Sequence, residues 1–156
     1  MDKWPPIEKI HEAYSAIADE RVVLSEGTAK VASSNRAKEY TVTWRDGFYT
    51  SNDNASYWQG YAGYPMIAVL LLQEKLTLNR SVAAYFTGIN WTELNAKYKS
   101  KFAKAVAEIM DGLKEEGVDC IAIDNEINAV YEQIKQLDIQ TKRSSVKPPK
   151  SNDKEQ

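Results

Sequence analysis

Cysteine and histidine are almost missing from this chain of 156 residues, since each occurs once. A single thiol, Cys120, cannot form a disulfide within the chain, which is typical of a reducing compartment. Zinc, haem-thiolate and iron–sulfur sites need several such ligands, so the sequence excludes them. We therefore expect no metal, no cofactor and a cytoplasmic location. His11 follows a helical apolar pattern and Cys120 borders an apolar run, so we interpret both as structural residues.

Long apolar runs are also absent from the sequence. The most hydrophobic run, from Met66 to Leu72, has only seven residues, whereas a membrane span needs ~18. The opening MDKWPPIEKI contains no apolar segment like that of a secretory signal. The content of 43% hydrophobic and 27% charged residues is ordinary for a single soluble globular domain.

Motifs of the common catalytic and phosphate-binding sites do not occur. The glycines of GYAGYP are followed by neither a P-loop lysine nor a dinucleotide fingerprint, and the serine-hydrolase and zinc-protease signatures are missing. Asp119, Asp124 and Glu126 cluster near one expected helix start, where carboxylates commonly stabilise the helix. The sequence therefore favours a protein without enzymatic activity. The alternative is a small enzyme that uses Arg45, Asp46 or these carboxylates beside an aromatic pocket.

Charge is unevenly spread along the chain. Residues 141–156 hold five basic and two acidic residues, so they carry +3, while the preceding 140 residues carry −5. The composition of this tail, rich in proline, lysine and serine, predicts disorder. We therefore expect one domain over residues 1–140 and a disordered basic tail over residues 141–156.

An acidic body disfavours binding to a phosphate backbone, so nucleic acid is an unlikely partner on sequence grounds. The alternative nucleic-acid site combines the tail with a helical stripe of three lysines: Lys97, Lys101 and Lys104. Glu93 stands four residues before this stripe and Glu108 four residues after it. This spacing indicates a solvated, ion-paired helix face.

Hydrophobic periodicity in the first third predicts one helix and a small antiparallel meander of three or four strands. Ile7, Ile10, Tyr14 and Ile17 recur on one helical face after two prolines. Strands are expected over 21–25, 28–33 and 38–45, followed by FYTS. Asp46-Gly47 is a strong hairpin signal, because both turn positions tolerate positive φ.

The rest of the sequence predicts four further helices. Pro65 opens a helix that is apolar nearly all round, and a short helix is expected over 79–86. Asn90 and Glu93 form a capping-box pattern for a long helix that ends at Gly117. A last helix runs to about residue 137; residues 118–123 fit a strand or the start of this helix, and we favour the helix. The predicted fold is α+β, with the meander packed against a layer of four or five helices.

One loop concentrates aromatic residues between the meander and the apolar helix. Residues 52–65, NDNASYWQGYAGYP, are here called the aromatic loop. Large rings with polar tips in a loop either pack on the core or form a recognition surface. We expect the inner rings to pack and the outer ones to be exposed. The candidate binding residues are Trp44, Arg45, Tyr49, Tyr57, Trp58, Tyr61 and Tyr64.

The function predicted from these features is binding, through the region from Trp44 to Tyr64. The partner is an unidentified small molecule or protein. The last two helices present apolar stripes that a small sheet cannot fully cover, so we also expect a homo-oligomer through this helical pair.

Overall fold

The computed structural model describes residues 1–150 and has an α+β fold, as predicted. A five-stranded sheet has the order β1-β2-β3-β4-β5. Strands β1 to β4 pair antiparallel, and β5 pairs parallel with β4. The strands are β1 (Val22–Ser25), β2 (Thr28–Ala32), β3 (Glu39–Arg45), β4 (Phe48–Ser51) and β5 (Gln140–Thr141). The α-helices are α1 (Glu8–Ala18), α2 (Tyr64–Leu72), α3 (Arg80–Ala83), α4 (Trp91–Lys97), α5 (Phe102–Glu115) and α6 (Cys120–Gln136).

Helix α2 lies at the centre of the core, between α1 and the sheet. All residues from Pro65 to Leu71 are buried, which confirms the helix predicted to be apolar nearly all round. Helix α1 presents Ile10, Tyr14 and Ile17 to this core. Fully burying one such side chain contributes about 1.5–3 kcal/mol, so this three-layer contact is the main stabilising feature of the fold.

The hairpin between β3 and β4 has the predicted two-residue turn. Asp46 and Gly47 have φ values of 52° and 81°, the left-handed conformations that a type I′ turn requires. The register pairs Trp44 with Tyr49 and Arg45 with Phe48. Because side chains alternate along a strand, the first pair lies on the core face and the second on the outer face.

The long helix predicted from Asn90 to Gly117 is wrong, because the chain breaks it into α4 and α5. The predicted start is correct, since the Asn90 side chain accepts a hydrogen bond from Glu93 N at 3.1 Å. Lys99 and Ser100 then adopt φ values of 54° and 63°. Two successive left-handed residues cannot continue a right-handed helix, so the chain turns before α5 begins.

Helix α6 begins with the cap that was favoured for the ambiguous segment 118–123. Asp119 accepts a hydrogen bond from Ala122 N at 3.1 Å, and Cys120 is the first helical residue. The residues that this helix buries recur on one face: Ile123, Ile127, Val130 and Ile134.

Residues 140–147 lie against the sheet, although composition suggested a disordered extension from Thr141. Gln140 N donates to Gly47 O at 2.9 Å and Lys142 N donates to Tyr49 O at 3.0 Å. The Asn52 side chain donates to Lys147 O at 3.1 Å. The physical reason is that the edge of β4 offers backbone partners that composition does not reveal. The remainder of the predicted tail, residues 151–156, lies outside the described residues.

No helix within residues 1–150 is both long enough and apolar enough to cross a membrane.

Candidate functional site

The aromatic loop is built on a buried carboxylate at its first turn. Asp53 accepts hydrogen bonds from Ser51 Oγ at 2.5 Å and from Ser56 N at 3.0 Å. Ser56 in turn accepts one from Gly63 N at 2.9 Å, which ties the two ends of the loop together. Between them the chain forms a π-helical turn over Ala55–Gln59. This turn projects consecutive aromatic side chains from a fixed base.

The inner rings of the predicted site pack inside the molecule. Tyr49 is buried, stacks on Trp44 with ring centroids 6.2 Å apart, and donates to Gln73 Oε1 at 2.7 Å. Tyr64 meets the ring of Tyr40 edge to face at 6.2 Å. These contacts place Tyr49 and Tyr64 in the support of the loop and not on its surface.

The outer rings gather around basic side chains from the two chain ends. Tyr57 and Trp58 lie edge to face, with centroids 4.7 Å apart. The guanidinium carbon of Arg143 lies 4.9 Å from the Tyr57 centroid and 5.7 Å from that of Trp58. Lys3 Nζ donates to Gln59 O at 2.9 Å and lies 5.6 Å from the ring of Tyr61. The indole of Trp58 remains open to solvent, with 62% of the residue exposed.

Two openings lie beside these rings. The first, here called the loop cavity, has about 350 Å³ and is lined by the π-helical turn, Tyr61, Met66 and residues 141–143. The second, here called the outer groove, has about 700 Å³ and runs over the outer face of β3 and β4 beside residues 142–146. Lys142 and Arg143 line both. The two openings therefore flank one basic segment and form a continuous candidate surface.

Every charged side chain that lines either opening is basic. The set is Arg45, Lys142 and Arg143. Arg45 pairs with Asp46 at 3.6 Å, but both side chains are largely in water, where such a pair contributes little. Lys142 Nζ lies 5.4 Å from the Phe48 ring. The surface is thus aromatic and cationic, although residues 1–140 as a whole are acidic.

The carboxylates of the enzymatic alternative lie elsewhere, although its Arg45 lines the outer groove. Asp119 is engaged as the cap of α6, and neither opening is lined by Asp124 or Glu126. Within residues 1–150 no group of three or more His, Cys, Asp or Glu side chains is placed to hold a metal ion.

The three lysines of the proposed nucleic-acid stripe are divided by the break between α4 and α5. Lys97 lies in α4 and Lys104 in α5, while Lys101 stands at the first position before α5. Lys97 Nζ donates to Glu108 Oε1 at 2.5 Å, and Tyr98 donates to the same oxygen at 2.7 Å. These hydrogen bonds, that from Lys97 first, hold the pKa of Glu108 below its usual range. One of the three cations is therefore already paired.

Residues 2–140 match the family described as "Uncharacterised conserved protein UCP014422". The chain belongs to this family. No curated protein and no solved structure matches the sequence significantly. The matched range includes all seven candidate binding residues, whereas Lys142 and Arg143 lie beyond it. Sequence reasoning missed these two because it treated them as part of a tail.

Proposed function

We propose that this protein is a non-enzymatic binding protein whose ligand combines an anionic group with a planar ring. The observation that carries the proposal is the contact of Arg143 with Tyr57 and the exposed Trp58, beside a cavity of about 350 Å³. Tryptophan, tyrosine and arginine are the residue types enriched at binding hot spots.

The charges along the two openings favour an anion. Arg143 and Lys142 have no acidic side chain among the residues that line the openings with them. A guanidinium recognises carboxylate or phosphate oxygens with two parallel hydrogen bonds, while its flat face can remain on the aromatic rings. The same side chain thus serves both parts of the ligand.

The aromatic faces favour a planar group. A ring stacked on tryptophan or tyrosine contributes about 1–3 kcal/mol in single-stranded nucleic-acid complexes, and the π-helical turn holds Tyr57 and Trp58 at a fixed angle of 76° to each other. A preformed aromatic corner loses little conformational entropy on binding.

The experiment uses three probes that separate these contributions: adenosine monophosphate, adenosine and ribose 5-phosphate. Calorimetric titration of the wild-type protein should show measurable binding of the monophosphate and weaker binding of either fragment. Trp58→Ala should reduce the affinity for adenosine and for the monophosphate, and Arg143→Gln should reduce that for ribose 5-phosphate and for the monophosphate, each by about tenfold.

Matched controls come from residues that line neither opening. Tyr85 is an exposed ring and Arg80 an exposed arginine, so Tyr85→Ala and Arg80→Gln should leave all affinities unchanged. Equal losses in the control variants, or no binding of any probe by the wild type, would contradict the proposal.

Single-stranded nucleic acid is the second candidate, because it carries phosphates and bases along one strand. The proximity of Lys142 and Arg143 to three aromatic rings favours this surface over the lysines of α4 and α5. Binding to an oligothymidylate should then weaken steeply with salt and depend on Arg143. Dependence on Lys101 and Lys104 instead would locate the site on α5.

A homo-oligomer through α5 and α6 is part of the same proposal. Helix α5 buries only Ala105, although Val106, Ile109, Met110 and Leu113 are apolar and partly buried. Ile121 at the start of α6 is exposed. Sedimentation should show a dimer at micromolar concentration, and Ile109→Lys should convert it to a monomer. A wild-type protein that stays monomeric throughout this concentration range would contradict the expectation.

We also propose a cytoplasmic location.

A further inference from the structure

A third, smaller opening lies between α1, the ends of β2 and β3, α4, and Tyr64 at the end of the aromatic loop. It has about 140 Å³ and is lined by polar side chains, among them Glu12, Arg21, Tyr64 and Trp91. This opening is here called the Arg21 cavity. Arg21 is only 3% exposed, Trp91 4% and Glu12 5%. Charged and polar groups this deeply buried are normally paired.

The guanidinium of Arg21 has one edge engaged and one edge open. Its Nη1 donates to Ala32 O at 2.7 Å. Its Nε and Nη2 have no hydrogen-bond partner. Asp19 Oδ2 lies 3.9 Å from Nε, beyond hydrogen-bonding distance, and both oxygens of Asp19 already accept from Gly88 N. The open edge carries two parallel N–H groups, which is the geometry that binds a carboxylate or phosphate side-on.

Unpaired polar atoms are concentrated at this one place. Six buried side-chain polar atoms lack a hydrogen-bond partner within residues 1–150. Three of the six are N–H groups of residues that line the Arg21 cavity: Nε and Nη2 of Arg21 and Nε1 of Trp91. An unsatisfied buried group costs about 1–3 kcal/mol, so several together indicate a missing partner.

Glu12 does not neutralise Arg21. Its Oε1 accepts from Asn95 Nδ2 at 3.0 Å, and its Oε2 forms an ion pair with Lys9 Nζ at 3.3 Å. Lys9 is itself buried. The Lys9–Glu12 pair is therefore close to neutral, and the open edge of Arg21 and the N–H of Trp91 are the unsatisfied donors beside the cavity.

We propose that the Arg21 cavity binds a small oxyanion, a carboxylate or phosphate of a few heavy atoms, held by the open edge of Arg21 and the indole N–H of Trp91. The volume of the cavity is roughly ten times that needed for one water molecule, and it is smaller than the pockets that bind drug-sized ligands. The proposal is independent of the one for the aromatic loop, because the two sites share no lining residue.

Tyr64 supports the same ligand class from the other wall of the cavity. Its ring centroid lies 5.9 Å from the guanidinium carbon of Arg21. Burial raises the pKa of Tyr64, and the neighbouring Tyr40 adds to this effect. The phenol therefore stays protonated and brings no negative charge to oppose an anion.

The test follows the N–H groups that would touch the ligand. Indole and Arg Nε–H resonances are recorded by ¹⁵N-correlated NMR while the full chain is titrated at constant ionic strength with sodium acetate and, separately, with sodium phosphate. We expect the Trp91 indole and Arg21 Nε–H signals to move together and to saturate with one of the anions. The titration in which the signals reach a plateau shows whether the cavity binds a carboxylate or a phosphate.

Two variants and one control separate binding from general salt effects. Arg21→Lys keeps the charge but lacks the two-pronged edge, and Trp91→Phe keeps the ring but lacks the N–H; each should weaken binding at least tenfold. Arg36→Gln removes an exposed arginine that donates to Asp19 O and should change nothing. If Arg21→Lys does not fold, the affinity of Trp91→Phe decides alone.

Three results would overturn the proposal. The first is that neither anion shifts the two signals at concentrations up to the millimolar range. The second is that Trp91→Phe binds the anion as tightly as the wild type. The third is that a high-resolution crystal grown with the saturating anion shows only ordered water in the Arg21 cavity.

Discussion

At the scale of single residues, helix α1 is notable for the polar side chains that it buries. Lys9, His11, Glu12 and Ser15 are all buried in it. Lys9 and Glu12 compensate each other, and Ser15 hydrogen bonds to Phe86 O. His11 makes an edge-to-face contact with Phe86 at 5.5 Å. This imidazole should therefore be the most pH-sensitive group in the core.

Burial lowers the pKa of His11 from 6.5 to about 4, against a smaller opposing effect of a backbone hydrogen bond at Glu8. Between these values the unfolded chain binds a proton that the folded chain does not. Stability should therefore be complete above pH 6.5 and should fall as the pH drops towards 4, by about 3 kcal/mol from this residue. Urea unfolding across this pH range should show that the free energy of unfolding depends less on pH in His11→Phe than in the wild type. The same pH dependence in both proteins would contradict the role of His11.

Gly63 shows why a glycine with ordinary backbone geometry is required in the aromatic loop. A Cβ at this position would lie 2.0 Å from Asp53 Oδ2, and Asp53 cannot move without losing its bonds to Ser51 and Ser56. We expect Gly63→Ala to lower the free energy of unfolding by about 1–3 kcal/mol. Gly112→Ala is the control, since nothing lies within 4 Å; inside α5 it should raise stability by about 0.5–1 kcal/mol. Thermal and urea unfolding should therefore show opposite changes in the free energy of unfolding for Gly63→Ala and Gly112→Ala.

At the scale of elements, the periodic segments are the ones that could be predicted. Helices α1, α2 and α6 follow apolar stripes, and the Asp46-Gly47 turn has a specific backbone requirement. The break after α4 could not be predicted, because Tyr98 and Phe102 continue the helical spacing straight through it. Strand β5 has only two residues and no pattern of its own.

The break between α4 and α5 stores backbone strain that substitution can release. Ser100 has a φ of 63° and donates from its backbone N to Asn95 O at 2.8 Å. Glycine adopts this conformation without a Cβ clash, so Ser100→Gly should raise the free energy of unfolding by about 0.5–1 kcal/mol. Ala96→Gly, inside α4, should lower it by about 1 kcal/mol. Chemical denaturation measures both, and a destabilising Ser100→Gly would show that the serine side chain has another role.

The two candidate sites differ in how far the sequence could reveal them. The concentration of rings in residues 52–65 was visible as a local signal, and Tyr57, Trp58 and Tyr61 are among the candidate residues that it predicted. That signal could not separate the exposed rings from Tyr49 and Tyr64, because burial depends on the sheet. The Arg21 cavity gave no signal at all, since its residues come from segments far apart in the chain.

At the scale of the whole molecule, both chain ends hold the aromatic loop. Lys3 contacts Gln59 and Tyr61, while Arg143 covers Tyr57 and Trp58. The amino group of Met1 donates to Ile139 O at 2.8 Å, which joins the two ends. Two of the three cations of the candidate surface, Lys142 and Arg143, are therefore in place because residues 140–147 return to the sheet.

Asn52 is the residue on which this return depends. Its buried side chain accepts from Thr41 N at 2.7 Å and donates to Lys147 O at 3.1 Å, so it links β3 to the C-terminal segment. Asn52→Ala should lower the free energy of unfolding by about 1–3 kcal/mol, because the Thr41 N–H loses its partner. It should also accelerate hydrogen exchange at Lys142 and Val146 while the amides of α2 stay protected.

The matched control for this variant is Asn128→Ala, since the Asn128 side chain donates to Asp124 O on the exposed surface of α6. Asn128→Ala should change the free energy of unfolding by less than about 0.5 kcal/mol.

If residues 142–147 position the cations of the binding surface, Asn52→Ala also weakens adenosine monophosphate binding, although Asn52 lines neither opening. Affinity retained in a variant whose C-terminal segment exchanges freely would show that Arg143 reaches the rings without the sheet, and the aromatic loop alone would then account for binding.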